Sequence, residues 1–328
     1  MKSKIYQIGH VVALALISAV LLSSCGKTDN PEANKRDSNG NTVLMKAVKE
    51  GNVDWVTELI KDGARVDAKG QGGITALMWA AALGHADCVK ALIAAGADIN
   101  AKEDKDGSTA LMVAVLKGHT DCVKALIAAG ADINAKEDKK GYTALMFAVG
   151  EDNTDCVKAL LKAGANVNAK AKKERTALMI AVRKKDSESV KTLIDAGADV
   201  NAKDKNGMTA LWMADSDCVK ILISAGANVN AKNKEGWTAL MDATEDGHVE
   251  RVKVLLEVGA DANAKTKDRE TALMIAAALG HADCMKVLLA AGADITVKDK
   301  NGETALMKAI RYKNANCEKL LQESVSRK

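Results

Sequence analysis

GSTALMVAVLKGHTDCVKALIAAGADINAK, residues 107 to 136, holds two short helical patterns joined by a turn and closed by a loop. Thr109 suits the N-cap of the first pattern, because its hydroxyl can accept from an amide left unpaired at a helix start. Leu111, Ala114 and Val115 then repeat at the i, i+3, i+4 spacing of one apolar helix face. Gly118-His119 makes the turn. Asp121 opens the second pattern, where a carboxylate suits the positive end of the helix dipole. Cys122, Val123, Leu126 and Ile127 form its apolar side, and Gly130 supplies the left-handed stop. The segment from Ala131 to Lys136 leads into a polar turn ending at Gly141.

The same unit recurs along the chain. Thr-x-Leu stands at Thr42, Thr75, Thr109, Thr143, Thr176, Thr209, Thr238, Thr271 and Thr304, at intervals of 33, 34, 34, 33, 33, 29, 33 and 33 residues. A period of that size means stacked supersecondary units, none of which buries its own apolar face alone. Composition agrees. Of 328 residues, 48% are hydrophobic but only 2% aromatic, so the core must be Ala, Leu, Val, Ile and Met. The 47 basic and 43 acidic residues interleave, without the concentrated basic stripe of a nucleic-acid binder.

The period, the helix–turn–helix–loop order, the TALMxA start and the GADINA-type ending resemble ankyrin repeats. The resemblance spans about nine repeats over residues 37–322. It implies an all-α repeat solenoid, each repeat a helix-turn-helix with a β-hairpin-like loop, in a curved stack, with residues 323–328 as a tail. The family pattern T-P-L-H departs here to TALM or a near variant. Alanine replaces the proline, and methionine replaces the histidine except at Trp212. Soft thioether packing between repeats should stand in for the missing histidine bridges. Polar ends are expected at Lys46, Lys49 and Glu50, and at Lys308, Arg311, Lys313 and Glu318. Repeat six lacks four residues after Ala214, about one helical turn, which predicts a notch or bend there. Glu174 and Arg269 replace the loop glycine, weakening the tight turn at those places.

The N-terminus is an address. Lys2 and Lys4 precede an apolar run from Val11 to Leu22, too short for the roughly 20 residues that span a bilayer. Residues 1–24 therefore read as a signal peptide. Leu22-Ser23-Ser24-Cys25-Gly26 resembles the lipobox of bacterial lipoproteins, which implies lipidation of Cys25 and cleavage before it. The alternative is an ordinary secretory signal with Cys25 incidental. Residues 25–36, polar and holding the only proline, read as the lipidated cysteine and a flexible tether.

Cys88, Cys122, Cys156, Cys218, Cys284 and Cys317 occupy one repeat position, where Trp55, Ser189 and Arg251 stand in the other repeats. Stacked helices lie about 8–10 Å apart, farther than the roughly 4.4–6.8 Å of disulfide-linked Cα atoms, so small buried thiols are expected. His85, His119, His248 and His281 recur in the helix–helix turn. Spaced along a solenoid, they do not converge as zinc ligands must. No nucleophile elbow, phosphate loop or metal motif is present, which argues against an enzyme and predicts no cofactor and no small-molecule substrate.

A recognition surface remains. The ankyrin resemblance places loop tips and the exposed side of each first helix in a concave groove. The residue just before each Thr varies: Ile74, Ser108, Tyr142, Arg175, Met208, Trp237, Glu270 and Glu303. Phe147, Ile180 and Met213 extend the patch, flanked by Arg183, Lys184, Glu245 and Asp246. Tyr142, Phe147, Arg175, Met208 and Trp237 are the candidate partner-binding residues, since aromatic and Arg side chains commonly anchor interfaces. Alternatively Tyr142 and Trp237 only pack on neighbouring loops. The expected function is a lipid-anchored scaffold at the bacterial cell envelope, on the periplasmic face or cell surface, that binds a protein of unknown identity and no nucleic acid. Alternatives are a regulatory or stabilising partner of an envelope enzyme, and a surface or secreted factor binding a host protein.

Overall fold

The computed structural model of the chain describes residues 30–326; the expected signal segment, Cys25 and the last two residues lie outside the described residues. Among the described residues there are 17 α-helices, three short 3-10 segments and one isolated bridge, Arg36 to Thr42. The chain divides into two compact units, residues up to 131 and from 132 onward.

In the first unit the helices are α1 (Val43–Lys49), α2 (Val53–Lys61), α3 (Ala76–Leu83), α4 (Ala86–Ala94), α5 (Ala110–Leu116) and α6 (Thr120–Ala128). The second unit holds α7 (Ala144–Gly150), α8 (Thr154–Lys162), α9 (Ala177–Lys184), α10 (Ser187–Asp195), α11 (Ser216–Ser224), α12 (Ala239–Glu245), α13 (Val249–Glu257), α14 (Ala272–Leu279), α15 (Ala282–Ala290), α16 (Ala305–Arg311) and α17 (Ala315–Ser326). The last helix thus runs through residues 323–326, part of the expected tail. Within each unit, first helices pack on first helices and second on second, giving an all-α repeat solenoid.

The local grammar explains each element. Thr42, Thr75, Thr109, Thr143, Thr176, Thr238, Thr271 and Thr304 each accept from the amide three residues on. Such a cap contributes about 1 kcal/mol. The Leu, Met and Ala of each first helix, and the Cys, Val and Leu of each second, fill the layer between helices; Leu145, Met146, Cys156, Val157 and Leu160 are all at most 1% exposed. Burying one such large side chain is worth roughly 1.5–3 kcal/mol. One repeat therefore cannot offset its own ordering entropy, and stacking must supply the rest.

Two devices lock neighbouring repeats together. In the helix–helix turn, His119 Nε2 donates to the Ala82 carbonyl at 3.1 Å, and His281 Nε2 donates to the Glu245 carbonyl at 3.0 Å. Each ring lies over a glycine of the preceding turn. A Cβ on Gly84 would sit 2.7 Å from His119, and one on Gly247 would sit 3.0 Å from His281, with φ at +77° and +70°. The glycine of one repeat is thus the seat for the histidine of the next.

The second device is an asparagine ladder after the second helices. Asn168 accepts from the Asp199 amide at 2.8 Å and donates to the Gly197 carbonyl at 3.0 Å. Asn201 does the same to Asn228 and Gly226, and Asn263 to Asp294 and Gly292. These amides, together with buried methionines such as Met179 and Met241, hold the stack where the family's first-helix histidine is missing. Asn34 begins the ladder, binding the Arg65 amide and the Gly63 carbonyl, and Ala33 is buried. The end of the expected tether is therefore packed on the first repeat.

The loop turns survive without glycine. Glu174 and Arg269 take φ of 57° and 64°, a left-handed conformation that costs a non-glycine residue about 1–2 kcal/mol. The polar-end expectation needs correction at the C-terminus. Met307 and Ile310 are about half exposed, whereas Lys308 is buried.

Candidate functional site

The loop tips in front of Tyr142, Met208 and Trp237 are built around one side-chain acceptor each. Buried Glu137 accepts from the amides of Lys139, Lys140 and Tyr142 at 2.5–3.1 Å. Asp204 accepts from Asn206 and Met208, Asn233 from Glu235 and Trp237, and Asp299 from Asn301 and Glu303. Tyr142, Met208, Trp237 and Glu303 are thus each tethered by their own backbone N–H to an acceptor four or five residues upstream. The Arg175 loop lacks such a residue; there Ala171 donates to the Arg175 carbonyl at 2.9 Å.

The tips are joined in series. Lys172 N donates to Lys140 O at 2.7 Å, Lys205 N to Lys173 O at 3.0 Å and Lys234 N to Asn206 O at 3.0 Å. This ladder sets the loops bearing Tyr142, Arg175, Met208 and Trp237 side by side. All four side chains are half-buried, as is Phe147. Tyr142 and Phe147 meet edge-to-face, ring centres 5.6 Å apart, with the Lys140 ammonium 5.5 Å from the Tyr142 ring. Such an aromatic pair adds about 0.5–1.5 kcal/mol beyond its area. Ile180, expected to extend the patch, does not: it is 4% exposed and belongs to the core, while Met213 stays half-buried.

The short repeat is where the face changes character. After Thr209 the first helix shrinks to a 3-10 turn, Ala210–Met213, and Thr209 makes no side-chain cap. The missing turn leaves a cleft of about 660 Å³ lined by Trp212, Met213, Asp215, Asp242, Asp246 and Arg251, among others. Arg251, standing where six repeats have cysteine, fills the base. Its guanidinium donates to the Trp212 carbonyl, to the Leu211 carbonyl at 3.4 Å and to Asp242 Oδ2 at 2.9 Å. The deletion, Trp212 in place of methionine and Arg251 in place of cysteine therefore meet at one place in the structure. Burial pushes the Asp242 carboxyl up, against the opposing pull of Arg251.

At the last repeats charge closes over the row. Buried Lys308 sits 2.5 Å from Glu270 and 3.1 Å from Asp299, and Arg311 binds Glu303 at 3.0 Å. Burial alone would raise the Asp299 carboxyl, but the Glu303 amide, Lys308 and the Asn301 amide together hold it below the usual range. Glu270 and Glu303 are thus held in ion pairs within the chain.

The six repeat cysteines are buried and none is in a disulfide. Burial pushes the Cys122 thiol up to about 11 and Cys218 to about 12, the latter helped by Asp215. Among the described residues no cluster of metal-ligating side chains occurs, and no helix is long and apolar enough to cross a membrane.

A family model for ankyrin repeats in three copies matches residues 13–103, 101–171, 136–204, 178–266 and 258–327. The chain belongs to the ankyrin-repeat family. Proteins built from these repeats generally act as non-enzymatic scaffolds that mediate protein–protein interaction. No curated protein matches the chain.

Proposed function

We propose that the chain is a lipid-anchored ankyrin-repeat scaffold that binds another protein at the bacterial cell envelope. Tyr142, Phe147, Arg175, Met208 and Trp237 form the contact row, and Cys25 carries the lipid. The observation that carries the partner reading is the loop row itself. Bulky side chains stand half-buried along loops whose backbones are hydrogen-bonded to one another and, at Tyr142, Met208 and Trp237, to a side-chain acceptor, so less ordering entropy remains to be lost when a partner docks. Aromatic and guanidinium groups held this way are good anchors. The lipid reading rests on Leu22-Ser23-Ser24-Cys25 alone; several acyl chains would hold the chain firmly at a bilayer surface.

Crosslinking in intact cells, followed by identification of what is captured, tests the partner row. Tyr142→Ala, Arg175→Ala and Trp237→Ala together should lose the captured protein, and an unchanged capture would refute the row. Fatty-acid labelling should be abolished by Cys25→Ser; equal labelling of the variant would refute the anchor. Protease treatment of whole cells separates the cell surface from the periplasmic face.

A further inference from the structure

The last repeat grips the one before it with particular side chains. Lys308, four residues after its Thr, reaches back to Glu270, which stands just before the preceding repeat's Thr, and also meets Asp299 of its own loop. In the turn, Asn314 donates to the Ala277 and Ala278 carbonyls at 2.8 and 2.9 Å. On the gripped helix α14, against which α16 packs, Met274 and Ala277 are 1% and 0% exposed. Both halves of this grip occur a second time. The first repeat has the gripping half: Lys46 four residues after Thr42, Asp37 five before it, and Asn52 in the turn. Asp37 accepts from the Asn39 and Asn41 amides just as Asp299 accepts from those of Asn301 and Glu303, and Lys46 is exposed. The last repeat has the gripped half. Glu303 stands just before Thr304, while Met307 and Ile310 hold the places of Met274 and Ala277 yet are 51% and 52% exposed. Among the nine Thr-x-Leu units, lysine stands four residues after Thr only in the first and last, and glutamate stands just before Thr only in the eighth and last.

We propose that the last repeat of one copy docks on the first repeat of a second copy, head to tail. Lys46 of the second copy takes Glu303 as Lys308 takes Glu270, and its α1 covers Met307 and Ile310. Arg311 already holds Glu303 at 3.0 Å, but a carboxylate has acceptor capacity for a second cation. Lys313 replaces the glycine that seats Asn314, and it keeps the left-handed φ, 59° against 78° at Gly280; Asp152 makes the same replacement within the array at 56°. The contact joins two different surfaces, so it is heterologous and either closes into a ring or runs on as a filament. It goes beyond the scaffold reading and uses none of the Tyr142 row.

The test is sedimentation equilibrium of the full chain in density-matched detergent, which reads the mass of the complex over a dilution series. The mass should rise above that of one chain as concentration increases. Lys46→Glu sets two carboxylates against each other at the junction, and Glu303→Lys sets two ammonium groups. Each variant alone should weaken association about thirtyfold or more, the weight of breaking a desolvated charge pair. An equimolar mixture of the two variants should associate again, because every junction then joins an acid to a base. Ile310→Asp, at the exposed centre of the face, should weaken association as well, so the test stands even if Glu303→Lys does not fold; circular dichroism checks each variant. A single-chain mass at every concentration overturns the proposal. Association that ignores Lys46→Glu also overturns it, as a contact between two last repeats or shared detergent would give. A mixture no stronger than its separate parts does so too.

Discussion

Arg251→Cys restores the residue that six other repeats carry at this position, and it should damage the protein. The guanidinium bonds the Asp242 carboxylate at 2.9 Å and two backbone carbonyls of the 3-10 turn. Losing the charged bond costs about 1–2 kcal/mol once the solvent access of Asp242 is discounted. The Trp212 carbonyl, left without a donor, adds about 1–2 kcal/mol. Together with the emptied volume the expected loss is about 3 kcal/mol, near the upper end for single substitutions. Repeat arrays lose cooperativity locally, so the assay is amide hydrogen exchange across residues 209–256, with urea unfolding as the global measure.

The pH dependence has a fixed sign. The folded state holds Asp242 above its ordinary value, so this group favours folding as pH falls through that raised value and disfavours it above. Removing Arg251 takes away the opposing pull, and the penalty should therefore be smaller at pH 5 than at pH 8. Asp242→Asn combined with Arg251→Cys should cost less than the sum of the single changes. A variant within about 0.5 kcal/mol of the parent, or one whose exchange rises equally in every repeat, would refute the coupling of Arg251 to the shortened helix.

Three further outcomes follow from the geometry. Gly247→Ala places a Cβ about 3.0 Å from the His281 ring at φ +70° and should destabilise by about 2 kcal/mol, with His281→Ala recovering part of the loss in urea unfolding. Thr176→Ala should cost about 1 kcal/mol and Thr209→Ala clearly less, since only the first makes the cap bond; equal costs would deny the capping account. Native protein at pH 7.5 should leave Cys122 and Cys218 unlabelled by iodoacetamide until urea opens the repeats, because their thiols titrate at about 11 and 12 and only thiolates react; mass spectrometry of the tryptic peptides reads this directly.

Much of the fold was legible because its signals are local. Each Thr cap bonds an amide three residues away, and the cysteine column follows from spacing alone. Tyr142, Arg175, Met208 and Trp237 follow the loop turns, directly before the Thr of each repeat. Other features are written in the sequence less openly. An Asp, Glu or Asn recurs five or six residues before most of the Thr positions, and it is the acceptor that ties the tip. Asn34 lies 33 residues before Asp67, which takes the same ladder role toward Asp98. What spacing could not supply was long-range. Trp212 and Arg251 are 39 residues apart, and only the missing turn between them makes an arginine welcome where cysteine is the rule. Ile180 looks like a groove residue by periodicity, yet it is buried, because a stripe pattern gives a direction and not what stands in front of it.

The tip ladder runs through the shortened repeat unbroken, from Lys173 to Lys205 and from Asn206 to Lys234. Asn201 likewise still spans to Asn228 and Gly226. Keeping time along the array is thus the work of the loops, while filling space is the work of the helices. A deletion in the helical layer creates a local vacancy and no register error downstream. Such an architecture can gain a cavity by subtraction: losing four residues leaves an opening of several hundred cubic ångströms while every neighbour stays in step. Repeats of irregular length are therefore the places along such a chain where new specificity can begin.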